Sequence, residues 1–307
     1  MHNHNHEHAH NHQHEHSIPE KINSVFVLGI LLNSIYVVVE AVYGISVNSM
    51  ALVADAGHNL SDVLGLGLAW GAGYLSLKQA TRSRTYGYRK STILAALLNA
   101  ILLLIAIGAI GVESIKRFAH PAPVQGGVMI TVALIGVIIN TFTALLFIKG
   151  KEKDLNIKGA FLHMAADAAV SLGVVAAGII ISYTGWQWVD PAISIVIMLV
   201  ILLSTWNLLK DSFNLAMDSV PPNIETDAVE AYLKTIPEVV DFHDLHIWAM
   251  STTQIAMTVH IIKDDMCIND DLTEKICREL HQKFGIEHTT IQFEAGKTYL
   301  NCKKNYV

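Results

Sequence analysis

Two apolar segments of this 307-residue chain each carry a histidine and an aspartate four residues apart. In "ALVADAGHNLSDVLGLGLAW" they are His58 and Asp62; in "FLHMAADAAVSLGVV" they are His163 and Asp167. At i and i+4 on a helix, both side chains project from one face. An aspartate at the centre of a membrane helix costs about 2.5–3.5 kcal/mol on insertion scales, so it must face a partner or a wet cavity. If the two segments pack together, two imidazoles and two carboxylates converge. That set suits a four-coordinate divalent ion, zinc above all, with tetrahedral bonds of about 2.0–2.2 Å. Small residues surround both pairs: Ala54, Ala56, Gly57 and Ser61 on one segment, Ala165, Ala166, Ala168 and Ala169 on the other. They permit the close helix approach the site requires. One such pair alone reads equally well as a structural contact; two copies at one spacing favour a metal or proton site. Asp55 lies three residues before His58, close to the same face. It reads as a partner behind the ligands or a charge in the outer vestibule rather than as a ligand.

The elements that must hold these residues are membrane helices. Hydrophobic residues make up 52% of the chain and charged residues only 16%, against about 25% charged in soluble domains. Six apolar stretches are long enough to cross a bilayer core of about 30 Å: roughly 24–45, 50–76, 92–115, 124–148, 159–183 and 188–208. Loop charge orients them. Lys78, Arg82, Arg84, Arg89 and Lys90 follow span 2, and Lys149, Lys151, Lys153 and Lys158 follow span 4, whereas span 3 is followed only by Lys116 and Arg117. The even-numbered connections and both termini are therefore expected in the cytoplasm. Spans 2 and 5 then run in opposite directions. No basic patch marks a nucleic-acid partner.

Three domains are expected: a His-rich tail over 1–20, a six-span transport domain over 21–210 and a soluble domain over 211–307. The tail, "MHNHNHEHAHNHQHEH", holds eight of the sixteen histidines and lacks the apolar run of a secretory leader. His6 to His10 satisfy H-E-x-x-H by chance, because no helix is there to hold them on one face. The tail is expected to capture zinc weakly. The last domain reads as helix, strand, strand, helix, strand, with Asn223 as a first-helix cap and Gly285 as a stop for the second. Its Cys267 and Cys277, with Cys302, are not spaced as a metal motif or a disulfide framework. His243, His246 and His260 lie on its first two strands, and His288, Gln292 and Glu294 can line one side of the third. As a group they could bind a second zinc.

The paired H-x-x-x-D, the six spans, "ADAGHNLSD" and "HDLHIW" resemble the cation diffusion facilitator family in its zinc-transporting branch. The likeness covers nearly the whole chain after the tail. It implies that His58, Asp62, His163 and Asp167 form the transport site, and that zinc export is coupled to proton uptake in a homodimer. It implies a ferredoxin-like αββαβ cytoplasmic domain with regulatory metal near His243, His260, His288 and Glu294. Some relatives carry histidine where this chain has Gln292. By the same analogy Lys90 and Asp218 form an ion pair at the base of the spans, although a solvated pair is the plainer reading. Some members hold a further metal in the loop after span 2; here that loop reads "TRSRTYGYRKS", with no histidine or carboxylate, so no such site is expected.

The function expected is zinc efflux by metal/proton antiport, with cadmium or cobalt as secondary substrates, through a bacterial inner membrane, and without enzymatic chemistry. The alternatives are an intramembrane metal-dependent hydrolase and a non-transporting metal sensor. A hydrolase needs an open zinc position and a general base, and a sensor need not place ligands in lipid. No G-x-x-x-x-G-K-[ST] loop supports an ATP-driven pump.

Overall fold

The computed structural model describes residues 24–147, 155–264 and 270–295. The tail, Cys267, Cys302, Lys149, Lys151 and Lys153 lie outside these residues. Six long helices come first: α1 (Ser24–Ser46), α2 (Met50–Ser76), α3 (Ser91–Ala119), α4 (Gly126–Phe147), α5 (Leu155–Thr184) and α6 (Val189–Ala216). α3, α4, α5 and α6 are long and apolar enough to cross a membrane, and Leu31–Ser46 of α1 is a shorter apolar stretch. α2 has 27 residues, about 40 Å at the helical rise, but its two aspartates and His58 lower its hydropathy. Several helices outrun the expected spans, α6 by two turns. Apolar windows mark the part that crosses the bilayer, and polar turns continue the helix beyond it.

On α3, Leu94, Leu98, Leu102, Ile105, Val112 and Ile115 form an exposed apolar stripe, as a lipid-facing helix requires. The interior is built by close approach. A Cβ at Gly136 of α4 would collide with the Tyr36 ring of α1, and one at Gly126 would collide with Ser182 of α5. Small residues at such contacts let membrane helices pack backbone to backbone. The start of α2 is fixed by Asp190 of α6. Its carboxylate accepts from Ser49 Oγ at 2.6 Å, Met50 N at 2.7 Å and Ala51 N at 3.2 Å. Asp190 and Ser49 are fully buried, so free helical N–H groups are satisfied without water.

The C-terminal domain follows as α7 (Thr226–Lys234), β1 (Asp241–Ala249), β2 (Ile255–Lys263), α8 (Asp270–Phe284) and β3 (Ile286–Ala295). The order is the expected αββαβ. β1 pairs antiparallel with β2, and β2 pairs parallel with β3. Val229, Leu233, Leu272, Ile276 and Leu280 of the helices join Met257, Val259 and Ile261 of the sheet in one core. Gly285 ends α8 at φ 69°, donating its N–H to His281 O at 2.9 Å. Asn223 is not the cap of α7: the helix starts at Thr226 with Glu225 at the cap position.

Candidate metal centre

His58 and Asp62 on α2 meet His163 and Asp167 on α5. His58 Nε2 lies 3.5 Å from Asp167 Oδ1 and 3.7 Å from Asp62 Oδ2. His163 Nε2 lies 3.3 Å from Asp62 Oδ2 and 3.7 Å from Asp167 Oδ2. The earlier residue of each pair faces the later residue of the other, the pattern of antiparallel helices. The two imidazoles stand edge to face, with ring centroids 5.9 Å apart. Donor atoms of His58, His163 and Asp167 all lie within 4.8 Å of one another. A tetrahedron with bonds of about 2.0–2.2 Å sets its corners about 3.3–3.6 Å apart, so the observed gaps suit one small ion. Asp62 Oδ2 and Asp167 Oδ2 are buried without a hydrogen-bond partner. A buried acceptor left in that state is costly unless a cation or proton completes it.

Asp55 does not join the four. It is fully buried and accepts from Ser171 Oγ of α5 at 2.9 Å. Behind it lies a network the sequence reading missed. Glu40 of α1 is fully buried and accepts from Tyr36 Oη at 2.7 Å and from Asn59 Nδ2 at 3.2 Å. Asn59 follows His58 directly, so this network fixes the α2 face that presents His58 and Asp62. A lone glutamate inside the first span was the one signal that could have revealed it.

The second group lies on the C-terminal sheet. His243 Nε2 is 3.1 Å from Glu294 Oε2, and His260 Nδ1 is 2.9 Å from Glu294 Oε1. Antiparallel register places His243 opposite His260, with ring centroids 5.0 Å apart. Gln292 Nε2 donates to Glu294 Oε1 at 2.9 Å, orienting the carboxylate. Burial pushes the Glu294 carboxyl up, but the His243 hydrogen bond and the two neighbouring imidazoles hold it below the usual carboxylate range.

His288 does not belong to this group, which corrects the expected ligand set. In the parallel register His260 pairs with Gln292 and Ala256 with His288. Four strand residues displace His288 by about 13 Å from that row. Its ring instead meets Tyr86 of the α2–α3 loop edge to face, at 5.8 Å. Asp244 is an addition: its carboxylate lies 3.0 Å from His246 Nε2 and 3.6 Å from His260 Nε2. It stands at φ 54° where the strand register shifts between His243 and His246, and that irregularity turns it toward both rings.

Lys90, just before α3, and Asp218, just after α6, form an ion pair at 2.6 Å. Both are about half exposed (46% and 54%), so the pair contributes about 0–1 kcal/mol.

Comparison with known proteins agrees with this architecture. Residues 26–215 match the model of the cation efflux transmembrane domain, and residues 221–296 match that of the cation efflux protein cytoplasmic domain. The chain is 38% identical to the metal cation efflux system protein CzcD of Cupriavidus metallidurans, over 87% of this chain and 85% of that one. It is 36% identical to the cadmium, cobalt and zinc/H(+)-K(+) antiporter of Bacillus subtilis, over 84% and 85%. It is 37% identical to the zinc transporter ZitB of Escherichia coli, over 84% and 83%. With both of its folded parts matched in order, the chain is a multi-pass membrane protein of the cation diffusion facilitator (cation efflux) family.

Proposed function

We propose that this protein exports zinc from the cytoplasm in exchange for protons, with His58, Asp62, His163 and Asp167 as the transported ion's site. The observation that carries the reading is the gap of 3.3–3.7 Å between imidazole and carboxylate donors of α2 and α5. The names of the relatives, a zinc transporter and a cadmium, cobalt and zinc antiporter, support it. Imidazole-rich ligation favours zinc, with cadmium and cobalt as secondary substrates.

Histidine ligates only when neutral and aspartate only when ionised, so metal and protons compete for the same lone pairs. Imidazole, which ordinarily titrates near pH 6.5, suits a proton carrier. Zinc loading from the cytoplasm displaces protons, and protons rebinding the emptied ligands on the other face prevent recapture. Access alternates as helices rock around the fixed site. Two members of the site stand on α2 and two on α5, so relative movement of those helices opens or closes it. The Asp55 and Glu40 network holds the ligand face of α2 in register during that movement.

His243, His260 and Glu294 would hold a regulatory divalent ion, with Asp244 beside His260. Such an ion cross-links three strands and makes domain conformation depend on cytoplasmic metal. The working unit is a homodimer in a bacterial inner membrane, with both termini in the cytoplasm. Zinc uptake into proteoliposomes under an imposed pH gradient tests the reading. Wild-type protein should move zinc against protons, and His58→Ala or Asp167→Ala should lose at least nine-tenths of the rate. Full activity in either variant would overturn the site.

A further inference from the structure

We propose that the cavity between the end of α2, the α2–α3 loop and the C-terminal domain binds the phosphate headgroup of an anionic phospholipid. The cavity holds about 740 Å³. Lys78 and Arg89 line it together with the hydroxyl-bearing Thr85, Tyr86 and Thr252, and no aspartate or glutamate lies among its lining residues. Residues 77–90 supply five cations and no carboxylate. Lys90 is engaged by Asp218, and Arg84 lies over the Tyr88 ring at 4.7 Å and donates to its hydroxyl at 3.0 Å. Lys78 and Arg89 make no ion pair among the described residues. Two uncompensated cations and several hydroxyl donors facing one space constitute an anion site, and phosphate oxygens match them.

An apolar part of the lining selects a lipid over a free anion. Ala69 and Gly73 of α2 and Leu77 just after it line this part, and a Cβ at Gly73 would meet nothing within 4 Å. Open space therefore lies beside Gly73, next to apolar residues of the lining, and gives a slot for an acyl chain. On the same two turns Trp70 and Tyr74 are 76% and 67% exposed, and such residues gather at the headgroup level of a bilayer. Acyl chains can leave along α2 while the phosphate stays with Lys78 and Arg89.

The remaining walls belong to the C-terminal domain. Thr252 N donates to Thr92 Oγ1 of α3 at 3.1 Å, and His288 meets Tyr86. A headgroup in the chamber thus braces the β1–β2 turn against α2, the helix that carries His58 and Asp62.

Native mass spectrometry of the full chain tests this with dioctanoyl phosphatidylglycerol, dioctanoyl phosphatidylcholine and inorganic phosphate as separate probes. Wild-type protein is expected to bind the glycerol lipid most tightly. Lys78→Gln/Arg89→Gln should weaken that binding roughly thirtyfold, as loss of two surface cations predicts. Gly73→Leu fills the slot without touching the charges, and should weaken the lipid but not phosphate. Both variants must keep the wild-type circular dichroism and melting temperature for this comparison; Lys78→Arg/Arg89→Lys, which keeps both charges, should restore lipid binding if the site is electrostatic. Equal binding of the two lipids, or unchanged phosphatidylglycerol binding in Lys78→Gln/Arg89→Gln, would overturn the proposal. Phosphate binding as tight as the lipid, with Gly73→Leu indifferent, would make this a free-anion site and overturn the lipid assignment.

Discussion

His58 Nε2 stands 3.5 Å from Asp167 Oδ1 on a different helix, closer than the 3.7 Å to Asp62 one turn along its own. His163 repeats the relationship, 3.3 Å from Asp62 and 3.7 Å from Asp167. Each histidine is thus nearer the carboxylate of the opposite helix, so the site exists only while α2 and α5 remain in register. Under the proposed function, coordination of the ion would therefore depend on helix position.

Ligand type should set selectivity. His58→Asp keeps four donors but exchanges an imidazole for a carboxylate, the ligand that suits magnesium, calcium and manganese. In proteoliposomes the ratio of zinc to manganese transport is expected to fall at least tenfold. An unchanged ratio would show that His58 does not touch the ion.

The spacing of the four membrane residues was legible because i and i+4 fix one helix face whatever the helix packs against. Glu40 was not, because its meaning comes from Tyr36 on its own helix and Asn59 on the next. His288 was misplaced for a similar reason. Alternation along a strand tells which face a residue occupies, and the parallel pairing of β2 with β3 decides which row it joins. Asp244 was hidden by an irregularity of β1 that no periodicity announces. The αββαβ order, by contrast, follows from local patterns and appears as expected.

The cytoplasmic cluster should lose metal as pH falls. Imidazoles ordinarily take up protons around pH 6.5 and ligate only when neutral. Glu294 is held below the usual carboxylate range, so it stays ionised through that window. Zinc affinity, measured by titration of the full chain carrying His58→Ala/His163→Ala, should drop by roughly 100-fold between pH 7.5 and 5.5 if two imidazoles ligate. Affinity independent of pH would exclude His243 and His260 as ligands.

Asp190 should matter to stability more than any surface charge. Asp190→Ala strips Ser49, Met50 and Ala51 of their shared acceptor in a buried place, a loss of about 2–4 kcal/mol. A clearly lower melting temperature in detergent is expected, and an unchanged one would contradict the capping role.

The Lys90–Asp218 pair makes the opposite case. A double-mutant cycle on unfolding should return a coupling of about 0–1 kcal/mol that shrinks with added salt. A coupling several times larger would mean the pair is shielded from water in the working protein.

The most direct test is X-ray absorption at the zinc edge on the full chain carrying His243→Ala/His260→Ala, loaded with one zinc per chain. The account predicts about four nitrogen and oxygen ligands at about 2.0–2.1 Å, with the scattering signature of two imidazoles. Adding His58→Ala/His163→Ala should abolish that signature. A six-coordinate oxygen shell, or a spectrum indifferent to those two substitutions, would contradict it.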